Sequence, residues 1–290
     1  MWCDWNNFFM KRLKSNKYND ELNDAVAIAY LAGNIMLHYY NVNYSVSFKD
    51  EIDISSAIYT EVDVFIDKLI NCYFSKLWPN DSILTEETNP EKEWFKSKRI
   101  WIVDPLDGTT GFKFKTGSFG VSIALIEDGV PVVGVIYAPI KNIIAHAVIN
   151  EGAFLNGKKI NIENNNVLKS ILCSSNHINK KPYQDFLKKI NSENKLKIIK
   201  TESCVVKVLY LLKGKGEIYP ILPKSNETSV PKFWDIAASD IILHEAGAIL
   251  TDFEGERYKY NKSNYLCEKG VLIGTKEIHK NILNIIKLYD

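Results

Sequence analysis

Trp101-Ile102-Val103-Asp104-Pro105-Leu106-Asp107-Gly108-Thr109-Thr110-Gly111-Phe112 runs apolar residues into two carboxylates three positions apart, then into a Gly-Thr-Thr-Gly turn. Ile100 to Val103 is short, apolar and β-rich, and reads as a buried strand. Pro105 has no N–H and is expected to stop the ladder. Asp104 and Asp107 then fall in the loop past the strand's C-terminal end, where open α/β sheets commonly bind ligands. Two adjacent carboxylates raise each other's pKa unless a cation intervenes. Hard divalent cations such as Mg²⁺ take oxygen ligands of this kind. The plainer alternative is an Asp-rich turn in which Gly108 supplies an unusual backbone angle. On this stretch alone both readings stand.

The flanking chain places further acids at element boundaries. A helix is expected from near Thr60, with Val62, Phe65, Ile66, Leu69, Ile70 and Tyr73 as its apolar stripe. Thr60-Glu61-Val62-Asp63 fits a capping box, which makes Asp63 either a helix-start carboxylate or, if it faces outside that stripe, a functional one. Ser82 to Thr85 is a strand candidate that ends at Glu86-Glu87, either a solvated pair or a third acidic cluster at a strand terminus. Trp234 to Ala246 reads as a helix with Asp235 in its first turn, where the helix dipole by itself favours a carboxylate.

The remaining pattern is of the α+β class. Asp20 to Tyr40 is helical, and Asn41 to Ser56 reads as an irregular loop. Ser118 to Ile126 and Val130 to Tyr137 form a hairpin through Glu127-Asp128-Gly129, and Ile143 to Ile149 extends the sheet. Asn156-Gly157 is another turn signal. Beyond Asn161 to Asn166 the rhythm alternates. Strands are expected at Ile171 to Ser174, Leu196 to Lys200, Glu217 to Tyr219, Ala248 to Phe253 and Val271 to Gly274. Helices are expected at Pro182 to Ile190, Cys204 to Lys213 and Ile278 to Tyr289. Ile221 to Lys232 reads as a long surface loop. Two parts are expected, 1–165 and 166–290.

Composition narrows the class of function. The chain has 290 residues, 46% apolar and 24% charged, with a net charge of +1. That is ordinary for a globular protein and gives no nucleic-acid scaffold or polybasic membrane patch. The five cysteines (Cys3, Cys72, Cys173, Cys204, Cys267) are scattered and contain no C-x-x-C pair. This argues against a disulfide framework and a zinc site, and favours a reducing, cytoplasmic setting. No apolar run approaches the ~20 residues of a membrane span. Trp2, Trp5, Phe8 and Phe9 followed by Lys11, Arg12 and Lys14 resemble no signal peptide, and a short packed N-terminal helix is expected there. No G-x-x-x-x-G-K-[ST] run exists, which removes a P-loop reading.

Taken together, Thr60-x-x-Asp63, Glu86-Glu87, Asp104-Pro105-Leu106-Asp107-Gly108-Thr109-Thr110, Gly152-Ala153-Phe154-Leu155-Asn156-Gly157 and Trp234-Asp235-Ile236-Ala237-Ala238 resemble the inositol monophosphatase superfamily. The resemblance runs from about Asp20 to the C-terminus. Ala124 to Pro131, Gly134 to Pro139, Ser174-Ser175-Asn176-His177, Thr110-Gly111-Phe112, and Lys207 followed by Gly216 to Pro220 are most similar to its 3'(2'),5'-bisphosphate nucleotidases of the bacterial type.

The resemblance implies a layered αβαβα sandwich of the inositol monophosphatase / fructose-1,6-bisphosphatase type. Its N-terminal part would carry most metal ligands, and its C-terminal part Asp235 and the specificity residues. It implies metal ligation by Asp63, Glu86, Asp104, Asp107, Asp235 and the Leu106 carbonyl. Asp63, Thr109 and Glu86 would be the catalytic group, the first two orienting the attacking water. Gly108, Thr109, Thr110, His177, Lys207 and Asp235 would meet the substrate. Two to three Mg²⁺ ions, replaceable by Mn²⁺, would activate that water and stabilise the leaving oxygen, and lithium would inhibit.

The implied reaction is hydrolysis of 3'-phosphoadenosine 5'-phosphate to AMP and phosphate, in sulfur metabolism. The partner is thus a small phosphate ester, with no nucleic acid and no membrane span, and the chain a monomer or homodimer. An inositol or sugar phosphate phosphatase with the same centre is the alternative, and a non-catalytic regulator that binds phosphate ligands is a third reading. Departures concentrate on the substrate side. Cys204 stands where a serine is usual, Ile221 follows Tyr219-Pro220 where the bacterial form has Arg, and only Thr60 remains of the run before Asp63. The loop before Trp234 is longer than usual, and Lys224 or Lys232 would replace the lost cation. The bland readings of His177 and Lys207 are a loop histidine and a surface lysine.

Overall fold

The computed structural model describes residues 17–40, 42, 46–48, 58–164, 167–190, 196–226 and 229–287. The expected N-terminal helix around Trp2 to Lys14 and most of the Asn41 to Ser56 loop lie outside them. Val46–Phe48 (β1), inside that expected loop, is instead a strand and pairs antiparallel with Ile58–Thr60 (β2).

Helices α1 (Asn19–Tyr40) and α2 (Glu61–Leu77) cover one face of a seven-stranded sheet. Its strands are β3 (Ser82–Thr85), β4 (Arg99–Asp107), β5 (Gly120–Glu127), β6 (Val130–Ala138), β7 (Ile143–Val148), β8 (Gly152–Leu155) and β9 (Lys158–Ile160), in that spatial order. β3 and β4 run parallel, and every later pair is antiparallel. Two tight hairpins have both central residues at positive φ, Asp128-Gly129 (51°, 80°) and Asn156-Gly157 (47°, 75°). This is the geometry that Asp-Gly and Asn-Gly favour.

The second sheet has the order β11-β10-β12-β14-β13, built from β10 (Ser170–Cys173), β11 (Lys197–Lys200), β12 (Ile218–Ile221), β13 (Ala248–Thr251) and β14 (Val271–Thr275). It is mixed, with β10 parallel to β11 and β12 and the other pairs antiparallel. Helices α6 (Cys204–Leu212) and α7 (Phe233–Glu245) lie between the two sheets. α5 (Lys181–Ile190) and α8 (Lys276–Lys287) pack on the outer face of the second sheet. Short helices α3 (Thr109–Lys113) and α4 (Ser175–Ile178) complete the set. The layers are therefore αβαβα. No helix among the described residues is long and apolar enough to cross a membrane.

Strand β4 joins two cores. Ile100 and Ile102 face the core between the sheets, whereas Trp101 and Val103 face α1 and α2, the period-two alternation of a strand with both sides covered. Trp101 stacks on Phe74 of α2 with ring centres 4.1 Å apart, and its Nε1 donates to Asp81 at 3.1 Å. Pro105 does not end the strand, contrary to expectation. The ladder resumes at Asp107, with Asp104 opposite Ser122 and Asp107 opposite Gly120. Three steps on β4 thus span two on β5, which is a bulge, and a bulge tolerates a missing N–H.

The buried face of α2 is also turned from the expected stripe. Phe65 is 54% exposed, while Asp63 and Asp67 are each only 1% exposed. Asp63 therefore lies on the buried face instead of outside it.

α7 reaches the first sheet because Gly134 of β6 has no side chain. A Cβ there would stand 2.5 Å from Ile241 and 2.6 Å from the Ala238 carbonyl. Overfilling a packed contact of this kind costs about 1–3 kcal/mol. Gly134→Val is expected to lose that much in urea unfolding, whereas Ser-for-Lys exchanges on the exposed faces leave the midpoint in place.

Candidate active site

The bulge decides where the two aspartates point. In a regular strand, side chains three positions apart face opposite sides. The extra residue on β4 restores Asp107 to the side of Asp104, and both line one cavity of about 630 Å³. Asp104 is 1% exposed and Asp107 5%. The Leu106 amide turns back to donate to Asp104 Oδ1 at 3.1 Å. Gly108 follows at φ 85°, and a Cβ there would meet the Ser118 carbonyl at 2.5 Å and Ser203 Cβ at 2.8 Å. Only glycine lets the chain leave the bulge by this path.

Asp107 is anchored from the other half of the chain. The Ser203 hydroxyl and the Val205 amide (2.8 Å) donate to Oδ2, and the Cys204 amide donates to Oδ1 at 3.1 Å. These donors open α6, so the carboxylate sits on a helix N-terminus whose first amides lack partners within the helix. Ser203 also caps α6, accepting from the Val206 amide at 3.0 Å. Asp235, in the first turn of α7, accepts from the Lys232 amide at 2.5 Å. The start of α7 is tied to β5 by Ser122, whose hydroxyl donates to the Trp234 carbonyl at 2.9 Å.

Glu86, just past β3, lines the same cavity, and the Lys232 ammonium stands 3.9 Å from its Oε1. Asp63 is buried behind the cavity wall. The Thr109 hydroxyl lies between its Oδ2 (3.4 Å) and the Leu106 carbonyl (3.3 Å).

The carboxylates form one electrostatic group. Burial holds Asp104 well above the usual carboxylate range, and the charges of Glu86, Asp107, Asp235 and Asp63 push it further. Burial also raises Asp107, against the Ser203 hydroxyl, the Val205 amide, the Lys207 ammonium and the Cys204 amide, which favour its ionised form. Asp235 is pushed up to about 6 by burial, with Asp107 adding and the Lys232 amide opposing. Such a cluster of buried oxygen donors fits a hard divalent cation, whose charge would remove the repulsion. Among the described residues, ligand atoms of Asp107, Asp235 and Cys204 lie within 4.8 Å of one another.

Of the residues expected at the substrate, Gly108, Thr109, Thr110, His177 and Asp235 line the cavity. The His177 ring stacks on Tyr183, with centroids 5.7 Å apart. Lys207 is fully buried, so it is not a surface lysine; it stands behind the cavity lining, and its charge acts on Asp107 and Asp235. Its ammonium donates to the Glu202 carbonyl at 3.0 Å and lies 5.0 Å from the centre of the Tyr219 ring. Ile221 to Lys232 is likewise more than a surface loop. Ile221, Lys224, Ser225 and Ser229 to Lys232 form a cavity wall. Sequence reasoning missed Ser203 and Tyr219. Ser203 had a visible signal, a serine just before a helical run.

Layers, cavity and acids are those of an αβαβα sandwich with an acidic pocket between its halves. The chain belongs to the inositol monophosphatase family, whose model matches residues 18–289. It is similar to a fructose-1,6-bisphosphatase/inositol-1-monophosphatase of Thermotoga maritima, 28% identical over 92% of this chain and 96% of that one. It is also similar to a 3'(2'),5'-bisphosphate nucleotidase CysQ of Buchnera aphidicola, 30% identical over 86% of this chain and 91% of the relative. Among solved structures, the extragenic suppressor protein suhB from Bartonella henselae superposes with a TM-score of 0.78 at 27% identity, over 93% of this chain and 99% of that one.

A folded-state pKa above the unfolded one gives stability at low pH that is lost as pH rises through the folded value. Asp104, Asp107 and Asp235 all shift in that sense. The metal-free protein is therefore expected to lose melting temperature from about pH 4, the unfolded carboxylate value, through about pH 6, the value Asp235 reaches, more steeply than Asp104→Asn, which removes one of the repelling charges. Calorimetry of both proteins in chelator measures this, and parallel pH profiles would contradict it.

Proposed function

We propose that the protein is a Mg²⁺-dependent phosphatase that hydrolyses 3'-phosphoadenosine 5'-phosphate to AMP and phosphate. The observation that carries this reading is one cavity whose lining joins Glu86, Asp104, Asp107, Asp235 and Thr109 with His177, stacked on Tyr183, and with Lys224, Ser225 and Ser229. Its volume of about 630 Å³ falls in the range of small-molecule sites and leaves room for more than one phosphate.

Glu86, Asp104, Asp107, Asp235 and the Leu106 carbonyl would hold the cations, with Asp63 beside them. Bound divalent ions supply a nucleophilic water at neutral pH and neutralise charge on the phosphoryl oxygens. The chain's own groups do the positioning. The Thr109 hydroxyl donates to Asp63 Oδ2, and its oxygen would in turn accept a proton of the attacking water. α6 fixes Asp107 through three donors, so its carboxylate does not swing when the phosphate enters. Gly108 adds no side chain, which lets a phosphate approach the backbone of Thr109 and Thr110. His177 offers a ring face to a base, and Lys224 and Lys232 offer charge to a second phosphate.

A second reading, an inositol or sugar phosphate phosphatase, is favoured by the withdrawal of Lys207 from the cavity and by the apolar Ile221 on its wall. The Thermotoga maritima relative, named for two such esters, supports the same reading.

Parallel turnover of 3'-phosphoadenosine 5'-phosphate and inositol 1-phosphate, with and without Mg²⁺, separates the two. Faster Mg²⁺-dependent release from the nucleotide is expected, and the reverse order rejects the first reading. Asp107→Asn is expected to lower kcat by at least about 10²-fold, the scale of losing one electrostatic stabiliser. Near-normal turnover by that folded variant would remove the metal centre.

A further inference from the structure

We propose that Asp67 is a positioning residue: through the Thr88 hydroxyl it fixes the turn that presents Glu86 to the cavity. The inference rests on reading the cavity as a metal centre, and adds to that reading a residue that meets neither the cations nor the substrate.

Three observations carry it. The first is the burial of the acid. Asp67 is 1% exposed on the inner face of α2, one helical turn beyond Asp63. Its Oδ2 accepts from the Thr88 hydroxyl and from Asn71 Nδ2 at 3.2 Å, whereas Oδ1 has no hydrogen-bond partner among the described residues. Burying a carboxylate oxygen without a partner is costly, and an apolar side chain of similar volume often serves stability better. What the acid holds supplies the reason for it.

The second observation is the build of the turn. Glu86 lies in the segment that leaves β3, between Thr85 and Thr88, and the Thr88 amide donates to Thr85 Oγ1 at 3.3 Å. Thr85 is held in the ladder opposite Val103 of β4. The turn is thus tied to β4 at one end and to α2 at the other, with the cavity-lining acid between. The third is that α2 uses the same device twice. Asp63 and Asp67 stand four residues apart on one face, about 6 Å along the helix axis. Asp63 accepts from the Thr109 hydroxyl at 3.4 Å, and Asp67 from the Thr88 hydroxyl. Each threonine follows a proposed ligand by two residues, Thr109 after Asp107 and Thr88 after Glu86. One helix therefore sets the spacing of two ligand-bearing segments that leave different strands.

Groups that orient a metal ligand from behind are worth about 10–100-fold in metal affinity. Thr88 is exposed, so its hydroxyl can be removed without disturbing the core. The test pairs Mg²⁺ calorimetry with amide hydrogen exchange in chelator, both on the full chain. Thr88→Val is expected to weaken Mg²⁺ binding by about tenfold or more and to speed exchange at the Glu86 and Glu87 amides by a similar factor. Thr88→Ser keeps the hydroxyl and should bring both back to within about twofold of wild type. Asn71→Ala removes the other donor to the same oxygen without touching the turn, and should lower the melting temperature while leaving both readouts in place. Asp67→Ala should weaken binding in the wild type and add little in Thr88→Val, because the two act as one unit.

Affinity and exchange in Thr88→Val that stay within about twofold of wild type, a Thr88→Ser that fails to restore them, or an Asn71→Ala that weakens binding as much as Thr88→Val overturns the proposal. If the wild type binds no Mg²⁺, the metal-centre reading falls and the proposal with it. If the wild type binds Mg²⁺ and Thr88→Val binds it equally well, only the positioning role falls.

Discussion

Carboxylates that repel one another are held in and behind the wall of one cavity, and the architecture serves to keep them there. Asp104 is buried and feels the charges of Glu86, Asp107, Asp235 and Asp63 at once. Like charges at such range move apart or take up protons unless the backbone fixes them. Here they come from β3, β4, α2 and α7, elements already locked by apolar packing around β4. The repulsion is sustained by rigid walls, and a cation is what relieves it.

The two halves of the chain meet at this point. α6 supplies the donors that hold Asp107, and α7 supplies Asp235 while packing on strands of both sheets. The contact at Gly134 and the Ser122 bond to the Trp234 carbonyl fix α7 in depth and along its axis. Neither half contains the full acid set. The geometry of the acid cluster therefore depends on how the inter-sheet core is filled, by residues such as Leu209, Ile241 and Tyr260 that do not line the cavity.

Much of this was legible in the sequence because local chemistry matched global placement. The Asp-Gly and Asn-Gly turns, the helix spacings and the apolar run into Asp104 each carried their own reason. What was hidden depends on partners far along the chain. Ser203 bonds Asp107 across 96 positions, and no pattern around either residue announces that contact. The buried face of α2 differs from the expected stripe because apolar spacing alone does not register buried acids such as Asp63 and Asp67. Lys207 is expected at the substrate, with a surface lysine as the plain alternative; its full burial is not legible because a lysine's usual place is outside. The bulge was missed because a proline within a strand ordinarily argues for its end.

That bulge makes the number of residues between Asp104 and Asp107 matter as much as their identity. Side chains on a strand alternate in parity, and the extra position resets it. Deleting one residue between them would leave both aspartates on one side, two positions apart, but would abolish the bulge that turns the Leu106 amide back onto Asp104 and sets Gly108 against Ser203. Natural variation in this segment should then tolerate changes of letter far better than changes of length. An insertion or deletion of a single codon would silence the site more completely than most substitutions within it.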